Sequence, residues 1–288
     1  MNQRPDPMWI GPYRVDAVLG EGGTGRVFLA SGPSGRLFAV KRTPDALAAD
    51  EDFRARFAAE VEGARQASGI WTPAVADADT DAANPWAAYA FIPGPTLAQT
   101  AGRVGAFSEA AALRLGADLA AAVDDLLRRG LPLPQVTPSH VVLAADGARL
   151  LYGTAGGTAT VPDAMRAVAT LTAAVTAGGS TQIDLAAAPP RLAALVAPCL
   201  ALDPDLRPGP LRFLEAAGRP RASTRPWPRG VRELTGTQEA LLHRILPAPR
   251  QGTTRLDLGQ TMIAATKDEV DAVVRAAGGR RFGRWRLK

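Results

Sequence analysis

The chain has 288 residues, enough for one two-lobed domain or two small ones, and its 47% hydrophobic content supplies a core rich in alanine. A single cysteine, Cys199, excludes an intrachain disulfide framework, and two histidines leave little material for a zinc site. The formal charge of +5 is uneven: residues 219–288 carry 15 Lys/Arg against 6 Asp/Glu (net +9), and residues 1–218 carry 18 against 22 (net −4).

In chain order, residues 7–12 read as an extended lead-in and residues 13–18 alternate as a strand. Next comes Leu19-Gly20-Glu21-Gly22-Gly23-Thr24-Gly25-Arg26-Val27, an apolar strand over 28–30, a Gly/Pro/Ser turn over 31–35, and a strand ending in Ala39-Val40-Lys41. Glycines let such a turn close over phosphates and offer them backbone N–H groups. An ammonium on the third strand then reaches the α and β phosphates. A dinucleotide-binding fingerprint would enter a helix after its third glycine, and no helix can start in residues 26–33. The glycine run is a weak signal alone, since a glycine-rich hairpin with no ligand has the same composition.

Asp50 caps a predicted helix over 51–67, in which Phe53, Phe57, Val61 and Ala64 share a face. Glu60 lies at the edge of that face, placed to meet Lys41 beneath the glycine turn. Glu62 competes for that role, and a solvated helix charge is the plainer alternative. Residues 74–78 and 86–92 read as two more strands, joined by a polar turn. Pro93-Gly94-Pro95 breaks the chain and marks a boundary between lobes.

A short helix is predicted from near Thr96. Ser108 caps a long one over 109–129, with Leu113, Leu119, Val123, Leu126 and Leu127 as its buried stripe, and Gly130 stops it. Two short strands, 141–143 and 149–152, flank an Asp146-Gly147 turn, and residues 153–159 are small and featureless. Helices follow over 164–176, over 191–201 with Pro198 shortening it, and over 210–217. Beyond these, a helix over 234–246, a strand over 253–258, a helix over 267–277 and a basic-aromatic strand over 280–288 are predicted.

Four stretches carry a resemblance to a known family. They are the glycine turn with Val40-Lys41, the run from Phe53 to Glu62 leading into Pro73-Ala74-Val75, the hinge-like Phe91-Ile92-Pro93-Gly94-Pro95-Thr96-Leu97, and Leu202-Asp203-Pro204-Asp205-Leu206-Arg207-Pro208. Together they resemble the serine/threonine protein kinases of actinobacterial type over roughly residues 10–218. The resemblance implies an α+β, two-lobed protein-kinase-like fold: a β-rich N-lobe (10–93), a mostly helical, shortened C-lobe lacking most of the activation segment (94–218), and a basic C-terminal extension (219–288). It implies a nucleotide cleft in which Gly20, Gly22, Gly25, Val27 and Lys41 contact ATP, with Ala39 against the adenine. Glu60 would hold Lys41, the backbone around Phe91 would pair with the adenine edge, and Tyr89 would be the gatekeeper.

The catalytic positions depart from the family pattern. Family His-Arg-Asp aligns with Leu133-Pro134-Gln135, the catalytic lysine with Thr137, the metal-binding asparagine with His140, and Asp-Phe-Gly with Tyr152-Gly153-Thr154. Gln135 accepts a hydrogen bond but cannot take up the substrate's proton. The Tyr152 phenol stays protonated at neutral pH and is no ligand for a hard cation. His140 suits a softer metal than Mg²⁺, which prefers oxygen; a hydrogen-bonding surface histidine is the plainer reading. Asp163-Ala164-Met165 resembles the start of the family's central C-lobe helix, so the activation segment and its Ala-Pro-Glu element are missing.

The expectation is a pseudokinase: a catalytically impaired regulatory or scaffold protein that is not an enzyme and binds ATP, if at all, weakly and independently of Mg²⁺. The alternative is an active, divergent ATP-dependent serine/threonine kinase or nucleotidyl transferase using the same cleft, which retention of Lys41 and Glu60 favours. A nucleotide sensor is a third reading. The basic extension suits an acidic protein partner or the chain's own acidic part; nucleic-acid binding is not expected. No apolar run approaches the roughly 20 residues that span a bilayer, and residues 1–7 lack an apolar signal core, so a cytoplasmic location is expected.

Overall fold

The structure, a computed structural model, describes residues 8–179, 184–220 and 226–245. The chain divides into two compact units. The first takes the described residues up to Ala58, then Val75–Phe91, then those from Gly236; the second takes Ala59–Ala74 and Ile92–Thr235.

The first unit is built on strands β1 (Trp9–Ile10), β2 (Tyr13–Gly22), β3 (Gly25–Ser31) and β4 (Leu37–Arg42). A short helix α1 (Asp45–Ala48) and helix α2 (Glu51–Ala67) follow, then β5 (Val75–Asp79) and β6 (Trp86–Ala90). The strands form one antiparallel sheet in the order β1-β2-β3-β4-β6-β5. Two register irregularities in β2, between Val15 and Ala17 and between Val18 and Gly20, bend that strand.

Strand alternation sorts the side chains. Phe28, Ala30, Phe38, Val40 and Ala88 go to one face, where they join Ile10, Tyr13 and Trp86 in a buried cluster. Tyr13 meets Phe38 and Trp86 edge-on, at 4.9 and 5.6 Å between ring centroids. Gly11 allows this packing: its φ is +53°, and a Cβ there would lie 2.4 Å from the Trp86 ring.

Helix α2 starts as its sequence predicts, with the Phe53 N–H donating to the Asp50 carboxylate at 3.1 Å. Its first half buries Phe53 and Phe57. Arg54 fastens it to the β5–β6 connection by donating to the carbonyls of Thr80 and Ala82 at 3.2 and 3.0 Å.

The second unit is mostly helical. It contains α3 (Leu97–Thr100), α4 (Glu109–Arg128), β7 (Leu133–Pro134), β8 (Val141–Ala144), β9 (Gly147–Leu150), β10 (Thr158–Ala159), α5 (Val161–Ala174), α6 (Pro190–Val196), α7 (Pro210–Ala217) and the first part of α8 (Arg229–Ile245). Thr96 caps α3 in a full capping box, and Ser108 caps α4. Helix α4 buries Leu113, Leu119, Val123 and Leu126 as expected, while Leu127 is half-buried. At Gly116, α4 comes so close to α5 and α7 that a Cβ would lie 2.7 Å from Thr172 Oγ1 and 3.1 Å from Phe213. Pro198 ends α6 early, and a 3₁₀ turn (Ala197–Leu200) follows.

Several boundaries differ from the sequence reading: β2 runs on to Gly22, β6 stops at Ala90 and α8 begins at Arg229. β9 begins at Gly147 and ends at Leu150, so Tyr152 lies beyond the strand. Residues 153–159 are not featureless: β10 pairs antiparallel with β7, Thr158 opposite Pro134 and Ala159 opposite Leu133. The helix predicted over 164–176 starts at Val161, because the Thr160 hydroxyl accepts the Asp163 N–H and caps it. The elements predicted over 253–258, 267–277 and 280–288 lie outside the described residues.

The chain leading into α8 is docked in the second unit. Trp227 is 2% exposed, and its indole N–H donates to the Ala144 carbonyl at 2.6 Å. Its ring lies 6.4 Å from that of Phe107, and Val231 is fully buried one turn further on.

Candidate functional site

Within the first unit, register places the sequence-predicted nucleotide residues on one sheet face. Val27 pairs opposite Lys41, and Lys41 opposite Ala87; Leu29 pairs opposite Ala39, and Ala39 opposite Tyr89. Directly opposed residues point to the same side of a sheet, as do residues two apart along a strand. Val27, Ala39, Lys41 and Tyr89 therefore share the face that the buried aromatic cluster does not occupy. The Lys41 ammonium stands 5.5 Å from the Phe57 ring centroid, a cation–π position. Tyr89 is buried, and Phe91 follows the end of β6, half-buried.

The glycine run forms the β2–β3 hairpin, turning at Gly23-Thr24, with Gly22 opposite Gly25. Across the hairpin, Arg26 grips both oxygens of Glu21 at 2.8 Å. The glycines divide by what surrounds them. A Cβ on Gly25 would lie 2.8 Å from the Arg42 carbonyl and 3.4 Å from the Lys41 side chain, so the neighbouring strand itself requires glycine there. At Gly20 and Gly22 no described atom beyond the glycine and its two chain neighbours lies within 4 Å of where a Cβ would stand, and neither has a positive φ.

Within the second unit, Glu60 is fully buried, and one of its oxygens accepts two backbone N–H groups, Thr154 at 2.8 Å and Ala155 at 2.7 Å. Glu62, its rival in the sequence, is exposed and binds Gln66 at 2.9 Å along the same helix. Tyr152 is 6% exposed, and its ring lies against α2 at Gly63, where a Cβ would come within 2.7 Å of the phenol oxygen. Burial raises the phenol's pKa, and the Glu60 charge raises it further. Tyr152 is thus wall material of this unit and not an exposed ligand position.

Residues 135–140 are knitted by their own polar groups. His140 Nδ1 lies 3.0 Å from the Gln135 carbonyl and 3.2 Å from Thr137 Oγ1, which is 3.0 Å from Ser139 Oγ. A carbonyl only accepts, so the tautomer with hydrogen on Nδ1 satisfies it and leaves Nε2 as an acceptor. The Gln135 side chain is exposed, with its amide nitrogen 3.4 Å from where a Cβ of Gly157 would stand.

Two features were not foreseen from the sequence. Arg207 donates to Asp163 at 3.0 Å, joining the start of α5 to the Asp-Pro…Arg-Pro stretch; the Thr160 hydroxyl holds the other Asp163 oxygen at 2.7 Å. The pattern Thr160-x-x-Asp163 ahead of an apolar run is a legible capping signal. Asp118, 1% exposed on α4, accepts the Ala148 N–H and the Arg114 guanidinium, each at 2.8 Å. An acid inside an apolar stripe has no periodicity signal to mark it.

The donor set can be tested against the groups that a kinase fold implies. For a nucleotide it fits: Gly20 and Gly22 leave open space where side chains would stand, beside a face carrying Val27, Ala39 and Lys41. For Mg²⁺ it does not fit. Gln135, Thr137, His140 and Tyr152 supply an amide, a hydroxyl, an imidazole and a buried phenol, and none supplies a carboxylate.

No family model matches the chain. Among curated proteins it is 42% identical over 153 residues to the serine/threonine-protein kinase AfsK of Streptomyces griseus, covering 53% of this chain and 19% of that protein. It is 43% identical over 149 residues to the probable serine/threonine-protein kinase PkwA of Thermomonospora curvata, covering 52% of this chain and 20% of that protein. The match therefore spans only about a fifth of the length of these relatives. Among solved structures, the kinase domain of Mycobacterium tuberculosis PknI superposes with a TM-score of 0.61 at 25% identity, covering 75% of this chain and 99% of that one. No helix among the described residues is long and apolar enough to cross a membrane. The chain thus has a protein-kinase fold, and over about half its length it is homologous to serine/threonine protein kinases of actinobacteria.

Proposed function

We propose that the chain is a catalytically impaired member of the kinase group, a pseudokinase, which holds ATP weakly without metal and acts by contact with a protein partner. The observation that carries this reading is the donor set at the positions aligned with the catalytic loop. Phosphoryl transfer relies on positioning and on metal ions that neutralise charge between the β and γ phosphates. Gln135 has no proton-accepting carboxylate, and neither Thr137 nor His140 replaces the lysine or the asparagine. The burial of Tyr152 favours an alignment one residue earlier than its sequence suggests. Leu151 then stands under the family's aspartate, and Tyr152-Gly153 under the Phe-Gly whose Phe packs internally. Neither alignment provides a metal-binding carboxylate.

In this reading Gly20, Gly22, Gly25, Val27 and Lys41 contact the phosphate side of the nucleotide, Ala39 lies against the adenine, and Tyr89 and Phe91 bound its edge. Glu60 grips the amides of the segment after β9. The partner is a protein with an acidic surface, met by the basic residues beyond 218, in a cytoplasmic setting. The second reading is an active divergent kinase or nucleotidyl transferase, favoured by the retention of Lys41 and Glu60. Calorimetric titration of ATP separates the two. The pseudokinase reading expects weak binding, nearly equal with and without Mg²⁺ and lost in Lys41→Met. Tight binding that requires Mg²⁺ would favour the enzyme.

A further inference from the structure

An open cavity of about 500 Å³ is lined wholly by residues of the helical unit. Its walls are apolar: Leu97, Val104, Phe107, Val136, Leu171 and Val175. Helix α3, the α3–α4 connection, the loop after β7, helix α5 and the 3₁₀ turn that follows it (Val175–Ala177) supply them. The volume suits one small organic molecule, and mostly apolar walls with a few placed polar groups are the usual make-up of such sites.

The polar groups identify the ligand's charge. Asp163 and Arg166 both line the cavity. Both oxygens of Asp163 are engaged, one by Arg207 and the other by the Thr160 hydroxyl. Those two bonds, the Thr160 hydroxyl first, hold its carboxyl below the usual range, so it stays ionised and is already offset by Arg207. Arg166 is exposed and has no hydrogen bond or ion pair among the described residues. The local balance is one carboxylate against two guanidinium groups: the charges of Arg207 and Arg166 both act on Asp163, which leaves one positive charge in excess. An apolar cavity whose edge carries one positive charge in excess matches an amphipathic anion.

We propose that this cavity binds a single-chain amphipathic carboxylate, its hydrocarbon chain among Leu97, Phe107 and Leu171 and its head on Arg166. The site is separate from the nucleotide reading and does not depend on it. The chain's own residues beyond 245 are a poor match as occupant: they carry 9 Lys/Arg against 4 Asp/Glu, the wrong sign for Arg166.

The test is calorimetric titration of the full chain with dodecanoate, below its micellar concentration, and with dodecylamine as the oppositely charged control. The proposal expects one dodecanoate per chain and much weaker binding of the amine. Arg166→Ala should weaken dodecanoate about tenfold, the scale of one charge-assisted hydrogen bond. Ala174→Phe, which places a ring in the cavity from α5, should abolish binding. Absence of binding overturns the proposal. So does equal binding of acid and amine, or dodecanoate binding that both variants leave unchanged. Should Ala174→Phe fail to fold, the surface change Arg166→Ala and the amine control still decide the matter.

Discussion

A single oxygen of Glu60 joins α2 to a segment 95 residues away, accepting the Ala155 N–H at 2.7 Å as well as the Thr154 N–H at 2.8 Å. This places a carboxylate, and not a long activation segment, as the anchor of the short stretch between β9 and β10. Two charge-assisted bonds to a buried acceptor make it a sensitive position, since removing the acceptor strands two N–H groups. Glu60→Ala is expected to cost about 3 kcal/mol, and Glu60→Gln less, because its amide oxygen still accepts. Urea unfolding measures both. A Glu60→Ala midpoint equal to wild type would show that these bonds do not stabilise the unit.

Trp227 extends the folded unit beyond Ala217. The indole is buried with its N–H on the Ala144 carbonyl, and Val231 is buried beside it. Trp227→Ala should therefore cost about 3–5 kcal/mol, as for other buried aromatic truncations. A chain ending at Ala217 should lose cooperative thermal unfolding or melt markedly lower. Equal melting for the Ala217 chain would mean that the Trp227 contact is dispensable.

Repair of the catalytic positions should fail. Gln135→Asp with Leu151→Asp would supply a proton acceptor and one metal-binding carboxylate, yet leave Thr137 and His140 and the short 153–159 connection as they are. A general base contributes roughly 10²–10⁴-fold, far from the whole acceleration. Gln135→Asp with Tyr152→Asp should fail for the added reason that it buries an acid against Gly63. Radiolabel transfer from ATP, with Mg²⁺ and with Mn²⁺, checks wild type and both double variants. Label in the wild type that vanishes in Lys41→Met would remove the pseudokinase reading.

Cys199 makes a pH prediction. Burial pushes its thiol up to about 11, against about 8.5 for an unfolded cysteine. The folded state then keeps its proton over a range in which the unfolded state has lost it. Stability should fall as pH rises from about 8.5 to 11. The urea midpoint of wild type minus that of Cys199→Ala, followed from pH 8 to 10.5, isolates this contribution from other titrating groups. A pH-independent difference would contradict a buried thiol. Iodoacetamide at pH 8 should modify Cys199 only after unfolding.

Elements whose pattern is local were legible in the chain. The strand–glycine–strand order, the Asp50 and Ser108 caps, the α2 and α7 boundaries and the break at Pro198 follow from periodicity, capping and the missing proline N–H. These act within a few residues. So does the alternation that puts Ala39 and Lys41 on one face of their strand. Contacts between distant residues were decided by the tertiary structure. The sequence does not distinguish the surroundings of Glu60 and Glu62, two residues apart on one helix; in the structure Glu60 is buried against the Thr154 and Ala155 amides and Glu62 is exposed. Tyr152 reads as a lost metal position until Gly63, 89 residues earlier in the chain, is seen to leave room for its ring. The β10–β7 pairing and the Asp163–Arg207 bond likewise depend on which segments packing brings together. Their energy comes from desolvated partners far apart in sequence, and no window along the chain contains both halves of such an interaction.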